Sequence, residues 1–400
     1  MVLNLSTPDM EIRGKVYLTK EGSKLVANGE LNIYSQWIRK VEGKPPRGSL
    51  VEIFDLEEKR LGKGFYENIG AIGVRLLSYE DEPITLQTII DRICKAEKFR
   101  KERLRLRSFY RIINADGDLM PGMIVDKYED IIVIQSSSIG FDKILEPLAK
   151  AILRELNAQT VYAKNDQRSR REVGLNVWRG TIAGERKTRT LVEEGAAKFY
   201  VDVEKGQKTG FFIDQRYNRI ELEKYVSEGD KVLDLYSYTG GFGIHAAVKK
   251  ANVVMVEESN YAICEAKRNA KLNEVLDRCK IICGRVETYL EESNEKFDIV
   301  IADPPALIQS RERKKEGLIA YLNLYEAAIH KVKSGGLLVA SSCSYFINEE
   351  EFMKMIWKAA RRAERNLKLA GKVRGTSPCH AARPRDKHLM YLKVAFAIVN

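Results

Sequence analysis

Lys231-Val-Leu-Asp-Leu-Tyr-Ser-Tyr-Thr-Gly-Gly-Phe-Gly243 runs from an apolar, β-branched stretch into a cluster of small residues. The pattern predicts a buried strand, a tight loop and the start of a helix. Small residues let the loop backbone approach a ligand, and the helix start offers free N–H groups. About seventy residues after Asp234, Phe297-Asp-Ile-Val-Ile-Ala302 repeats the strand signal and ends on Asp303-Pro304-Pro305. Similar short apolar runs lie at Asn252-Val-Val-Met-Val-Glu257, Lys280-Ile-Ile-Cys283 and Gly336-Leu-Leu-Val-Ala-Ser-Ser342, with helical patterns between them. This alternation, from about residue 191 onward, predicts an α/β fold with a doubly wound parallel sheet. Two last runs, Leu367 to Val373 and Tyr391 to Val399, have no helical pattern between them. They are expected to form a hairpin at one sheet edge.

The chain before this region divides in two. Residues 1–77 contain short alternating runs at Ile12–Leu18, Leu50–Asp55 and Ile72–Leu77, punctuated by glycines, which predict a small β-barrel. Trp37 belongs either to its core or to a base-stacking platform. In residues 78–190, Ile84 to Phe109 reads as one amphipathic helix, with Leu86, Ile89, Ile90, Ile93, Ala96 and Phe99 near helical spacing. Strand patterns follow at Phe109–Asn114, Gly122–Asp126, Asp130–Gln135 and Thr160–Lys164, with a helix over Phe141 to Leu156. The expected organisation is therefore a β-barrel (1–77), a central α+β domain (78–190) and the α/β domain (191–400).

A net charge of +11 on 400 residues favours an acidic partner such as nucleic acid. Arg92 to Arg111 holds nine Lys or Arg against Glu97 and Glu102; Arg361 to Lys393 holds ten against Glu364 and Asp386. Each cluster suits a phosphate-tracking surface or a solvated helix face. Met1 to Met10 has no apolar signal core, and the sequence lacks an apolar run long enough to span a bilayer. The six cysteines form no secreted-type framework, so a cytoplasmic protein with reduced thiols is expected, without membrane or metal.

The Tyr236–Gly243 loop departs from the G-x-G-x-x-G dinucleotide fingerprint, and bulky Tyr236 and Tyr238 sit where a pyrophosphate would need room. The methionine end of S-adenosylmethionine needs less space. Glu257 and Glu258, after the next strand, are either surface acids or acceptors for ribose hydroxyls. Asp303-Pro304-Pro305 forms a stiff loop without prolyl N–H donors, a floor on which a flat base could rest while Asp303 bonds its edge. Cys343, in Ser341-Ser-Cys-Ser-Tyr345, ends the following strand. It is either a small buried residue or a nucleophile. A thiolate adding to carbon 6 of cytosine would make carbon 5 nucleophilic. Lys208-Thr-Gly-Phe-Phe-Ile-Asp-Gln-Arg216 could cover the cofactor or orient RNA, or simply start a helix. His245 and His330 fall in predicted helices; His380 and His388 fall in the basic hairpin connection.

These residues resemble the large-subunit ribosomal RNA methyltransferase I family, which makes 5-methylcytosine. Gly206-Gln-Lys-Thr-Gly-Phe-Phe-Ile-Asp-Gln-Arg216, Ser237-Tyr-Thr-Gly-Gly-Phe242, Asp303-Pro-Pro305, Ser342-Cys-Ser344 and Asp118-Leu-Met-Pro-Gly-Met-Ile-Val-Asp126 are similar to its motifs. The resemblance covers nearly the whole chain. It implies an N-terminal PUA-like β-barrel, a central α+β domain and a C-terminal Rossmann-like class I methyltransferase domain. It implies S-adenosylmethionine as cofactor, RNA as partner and Cys343 as nucleophile beside Asp303. Cofactor contacts are expected from Lys208, Phe211, Asp234, Tyr236, Ser237, Thr239, Gly240, Phe242, Gly243, Glu257, Glu258, Asp303 and Pro304. RNA contacts are expected from Pro305, Gln215, Arg216 and His380. Three departures stand out. Gly284-Arg285 replaces acids that relatives use near adenine, leaving that group to the backbone around Arg285 and Val286. Ala306 stands where Lys is common, and the His-Pro-Trp run of the PUA module is missing, with Tyr34 and Trp37 the nearest aromatics. Methylation of a base nitrogen, or a non-catalytic RNA-binding role, are the competing expectations.

Overall fold

A computed structural model describes residues 10–308 and 310–400. The signal-peptide expectation concerns Met1 to Met10 and lies, but for Met10, outside the described residues. The chain forms two compact units. One comprises Met1–Val192, Val201–Ile213 and Pro378–Leu389; the other comprises Glu193–Tyr200, Asp214–Ser377 and Met390–Asn400. Residues 1–77 and 78–190 thus share one unit, which also takes part of the C-terminal hairpin connection.

In the first unit, a six-stranded sheet runs in the order Asn32–Tyr34, Ile72–Ser78, Arg60–Ile69, Leu50–Phe54, Ile12–Leu18, Ile38–Glu42. Its core is Val16, Leu18, Ile33, Val51, Ile53, Val74 and Leu76, with Trp37 packed at the margin. A helix at Lys20–Ala27, capped by Thr19, breaks the run of strands expected there. The second sheet runs Trp178–Gly184, Thr160–Asn165, Ile131–Ser136, Met123–Tyr128, Phe109–Asn114. The Trp178–Gly184 strand went unread because its residues are only partly buried and do not alternate.

The helix expected from Ile84 to Phe109 is shorter. Thr85 and Thr88 make a capping box, the α-helix spans Leu86–Lys98, and a wider turn covers Phe99–Arg103. Left-handed φ angles at Arg105 (54°) and Ser108 (64°) then end the helical path. Phe99, expected on the apolar face, is exposed. Arg100 is instead buried, with a bidentate pair to Asp118 at 2.8 and 2.7 Å. Periodicity counts arginine as solvent-facing, so it misassigns a helix whose last turn buries one. Arg111 is buried on Asp126 in the same way, at 2.8 and 2.9 Å. Both ends of the Asp118–Asp126 motif therefore neutralise buried arginines. Lys95, Lys98, Lys101, Arg103, Arg105 and Arg107 remain exposed.

Part of the second basic cluster is structural. Arg383 pairs with Asp386, Arg385 with Glu30 and Arg374 with Glu221, while Lys393 is buried. Five others, Arg361, Arg362, Lys368, Lys372 and Lys387, are exposed.

The second unit holds a seven-stranded sheet in the order Cys279–Cys283, Asn252–Glu257, Lys231–Leu235, Phe297–Ala302, Val332–Ser342, Lys393–Val399, Leu367–Leu369. The first five strands are parallel, and the last two pair antiparallel as the predicted edge hairpin. Strand succession reverses direction between Lys231–Leu235 and Phe297–Ala302. That is the switch point where a crevice opens beyond the carboxyl ends of the strands. Leu233, Leu235, Val300, Ala302, Leu338 and Ala340 belong to the core that fixes these ends.

Beneath the sheet a charged cluster is sealed from water. Glu194 and His245 are fully buried and Arg219 nearly so. Arg219 pairs with Glu194 at 2.5 Å, and His245 bridges Glu194 (3.0 Å) and Glu223 (2.6 Å). Burial alone would lower the His245 pKa, but the two carboxylates outweigh it and raise the value. A raised folded-state value means that the imidazolium stabilises the fold fully below its unfolded value, about 6.5. That contribution fades as pH rises through the folded value. His245→Gln should therefore flatten the fall of Tm expected of the parent as pH rises above about 6.5, followed by thermal unfolding.

Candidate active site

The first sheet strand delivers Asp234, which is buried and accepts a hydrogen bond from Gly243 N–H at 2.7 Å. Burial pushes the carboxyl up to about 8, with Asp303 and Glu257 acting in the same direction and the Gly243 N–H opposing. Asp234 thus braces the loop from inside. The loop itself is strained: Tyr236 (φ 59°) and Tyr238 (φ 48°) take left-handed conformations that side chains disfavour. Gly240 (φ 85°) precedes the Gly241–Val248 helix. Such strain persists because the surroundings over-determine it. Glu257 holds Tyr238 N–H and Ser259 N–H, each at 2.9 Å, and Asn269 holds the Thr239 carbonyl at 3.1 Å. Phe242 and Gly243 are buried in the first helical turn.

Two observations fit a small polar ligand. The hydroxyls of Ser237 and Thr239 are buried without a hydrogen-bond partner among the described residues. A Cβ on Gly243 would lie 2.6 Å from Met255 Cε and 3.0 Å from Asp234 Oδ2, so a larger residue at the helix start must displace the Met255 side chain or the Asp234 brace. Gly243→Ala is expected to displace the loop, at about 1–3 kcal/mol, and weaken S-adenosylhomocysteine binding roughly tenfold by calorimetry.

Glu257 ends the second strand and is half-buried, while Glu258 is exposed. Tyr236 donates to Glu287 at 3.0 Å; burial and that carboxylate raise its pKa. Arg285 is exposed at the start of the Val286–Glu292 helix, and Val286 is buried. The Gly284 N–H donates to the Glu257 carbonyl at 3.0 Å, tying this loop to the second strand.

Across the switch point, Asp303 leaves the fourth strand half-buried, followed by buried Pro304 and exposed Pro305. Gln215, 2 % exposed, donates to Asp303 Oδ1 (2.9 Å) and to Ser341 Oγ (3.0 Å), and Asn218 holds Gln215 in turn at 2.7 Å. Gln215 is therefore a positioning residue for Asp303; its neighbour Arg216 is also buried. Cys343 follows the fifth strand, half-buried, with Sγ 4.0 Å from the Pro304 carbonyl. The Asp303 loop and the Cys343 loop thus stand side by side.

Sequence reasoning counted Lys393 only as part of a basic run. It is buried at the start of its strand, opposite Ser342, and donates to the Ser344 (2.6 Å) and Ile347 (2.7 Å) carbonyls. Burial lowers its pKa to about 8, while Cys343 and Glu351 oppose that shift. A lysine opening an otherwise apolar strand was the available signal.

Three candidates belong to the first unit. Lys208 has φ 51° and its ammonium lies 4.5 Å from the Phe212 ring centroid. Phe211 is buried against Phe109, centroids 5.8 Å apart. Between them, Thr209 donates to Asp126 at 2.7 Å and lies 2.8 Å from the Tyr128 hydroxyl. His380 is buried next to Cys379, Nδ1 to Sγ 3.4 Å.

Comparison with known proteins matches residues 16–79 to a PUA-like domain and 159–313 to an S-adenosylmethionine-dependent methyltransferase. A Methanocaldococcus jannaschii protein, provisionally named a ribosomal RNA large subunit methyltransferase, is 37% identical over 359 residues, 88% of this chain and 90% of that protein. Ribosomal RNA large subunit methyltransferase I of Vibrio cholerae is 33% identical over 386 residues, 94% of this chain and 97% of the relative. A crystal structure described as a methyltransferase complexed with S-adenosylhomocysteine shares the fold, with TM-score 0.81 at 21% identity over 97% of this chain and all of that one. Fold and site define an S-adenosylmethionine-dependent methyltransferase carrying an N-terminal PUA-like domain. The chain belongs to the ribosomal RNA large subunit methyltransferase I family. No helix among the described residues is long and apolar enough to cross a membrane.

Proposed function

We propose that this protein methylates carbon 5 of a cytosine in large-subunit ribosomal RNA, through a transient covalent adduct with Cys343. The observation that carries this reading is the approach of Cys343 Sγ to within 4.0 Å of the Pro304 carbonyl, one residue from Asp303. A thiol and a carboxylate at one cleft are what activation of a pyrimidine needs. The names of the relatives support ribosomal RNA as substrate, and the +11 charge supports an RNA partner. The reading includes the three-part division at residues 77 and 190, and a cytoplasmic setting that keeps Cys343 reduced.

Ser237, Thr239 and the Gly240–Gly243 backbone would hold the methionine end of the cofactor, and Glu257 its ribose. Bound there, S-adenosylmethionine supplies an electrophilic methyl group. The target cytosine leaves its stack and lies against Pro304 and Pro305. Cys343 thiolate adds to carbon 6, and Asp303 steadies the base edge and provides a proton at N3. Electron density thereby moves onto carbon 5. After that carbon is methylated, a water molecule takes its proton, the carbon–sulfur bond breaks, the thiolate departs and N3 returns its proton to Asp303. Lys393, held behind the loop, favours the thiolate both before addition and after release.

Nucleoside mass spectrometry of ribosomal RNA, with and without this gene, tests the proposal. A 5-methylcytosine missing only in the gene's absence is the expected result. A missing methyl group on a base nitrogen would remove the covalent step. An unchanged modification map would leave an RNA-binding role.

A further inference from the structure

Beyond the cleft that holds Asp303 and Cys343, the same two loops continue and part to form a cavity of about 410 Å³. One wall is Arg311 and Lys314, at and just before the start of the Lys314–Lys331 helix; the other is Tyr345 and Phe346, the second and third residues after Cys343. The walls are fastened to one another at their base. Ser344 Oγ accepts from Ile308 N–H and donates to the Ile308 carbonyl, both at 3.3 Å, and Tyr321 donates to the same oxygen. Lys393 anchors the aromatic wall from behind through the Ser344 and Ile347 carbonyls. The spacing of the walls is therefore built into the fold.

Tyr345 is 55% exposed, although apolar burial would favour hiding it, and its ring meets Phe346 edge-on at 5.5 Å. Opposite stands the segment Arg311-Glu312-Arg313-Lys314-Lys315, in which Arg311, Arg313 and Lys315 are exposed while Lys314 pairs with Glu351 at 2.5 Å, so Arg311 is the lining cation that argues for a phosphate. An open aromatic face opposed by cations is the combination that holds a nucleotide of single-stranded RNA: the base stacks and the phosphate pairs. The volume lies within the range of small-ligand pockets.

We propose that this cavity is a second nucleotide subsite, taking the RNA residue adjacent to the target base, with its base stacked on Tyr345 and its phosphate paired with Arg311. The proposal rests on the reading of the Cys343 cleft as the target-base site, and it deepens that reading. Capturing the neighbouring nucleotide would hold the strand open while the target is out of its stack. It would also make recognition depend on single-stranded context.

Fluorescence anisotropy with a fluorescein-labelled oligocytidylate tests the subsite on the full chain. Tyr345→Leu should weaken binding roughly tenfold or more, while Tyr345→Phe stays near the parent. Arg311→Ala should lower the slope of log affinity against log salt by about one. S-adenosylhomocysteine binding by calorimetry should stay unchanged in all three, which separates loss of the subsite from loss of the fold. If the parent binds the oligonucleotide and Tyr345→Leu and Arg311→Ala match it, the subsite is refuted while the target-base reading stands. If the parent itself fails to bind, the RNA reading falls and takes the subsite with it.

Discussion

Cys343→Ala is expected to abolish methyl transfer while S-adenosylhomocysteine affinity stays within about twofold of the parent, because the substitution removes the nucleophile and leaves the cofactor loop untouched. The Ser237–Gly243 loop is braced by Asp234, Glu257 and Asn269, none of which touches the fifth-strand loop. Loss of a covalent nucleophile typically lowers kcat by roughly 10⁴–10⁶, so transfer of a radioactive methyl group to ribosomal RNA should fall to background. A second measurement addresses the covalent step itself. Fluorine at carbon 5 cannot be removed as a proton, so RNA containing 5-fluorocytidine should remain attached to the parent in a denaturing gel. The Ala variant should show no such band. Normal turnover by Cys343→Ala would eliminate the thiolate from the reaction.

Arg219→Leu should destabilise the second unit by about 3–5 kcal/mol, because it strands the Glu194 carboxylate in a dry interior. Burial opposes the charge on Glu194, but Arg219 and His245 hold its pKa down at about 2. Without Arg219, Glu194 keeps His245, which it shares with Glu223. For a unit of this size the loss corresponds to a Tm lower by roughly 10 °C. Adding Glu194→Gln to Arg219→Leu should recover part of it, since the uncompensated charge goes. The carboxylate's contribution is present above its unfolded value and fades as pH falls towards about 2, so acid should narrow the gap between parent and variant. A variant as stable as the parent in urea would show that the charge finds another partner.

Much of the site was legible because its signals are local. Short β-branched runs predicted the five parallel strands, since a strand buried on both faces must be apolar throughout. Their ends coincide with Asp234, Glu257, Asp303 and Cys343, so strand prediction also placed the candidate residues. The loop's glycines were readable for the same reason: φ 85° at Gly240 and the close approach at Gly243 leave glycine as the residue that fits.

Charge was the property that sequence misassigned. Arg100, Arg111, Arg374, Arg383 and Lys393 look alike in a basic run, yet each is held by a carboxylate or carbonyl remote in sequence or folded back upon it. Thr209 of the Lys208–Gly210 motif binds Asp126 of a different motif, and Gln215 binds Asp303, not an open surface. The sequence by itself determined the parallel sheet, the glycine loop and the residues standing at the strand ends, because backbone conformation and burial follow from neighbours along the chain. Only the tertiary structure decided which charges are sealed inside, that Lys393 backs the cysteine loop, and that Tyr345 faces Arg311 across a cavity. Those outcomes depend on groups far apart in the chain being brought together, and no local pattern of residues encodes which ones meet.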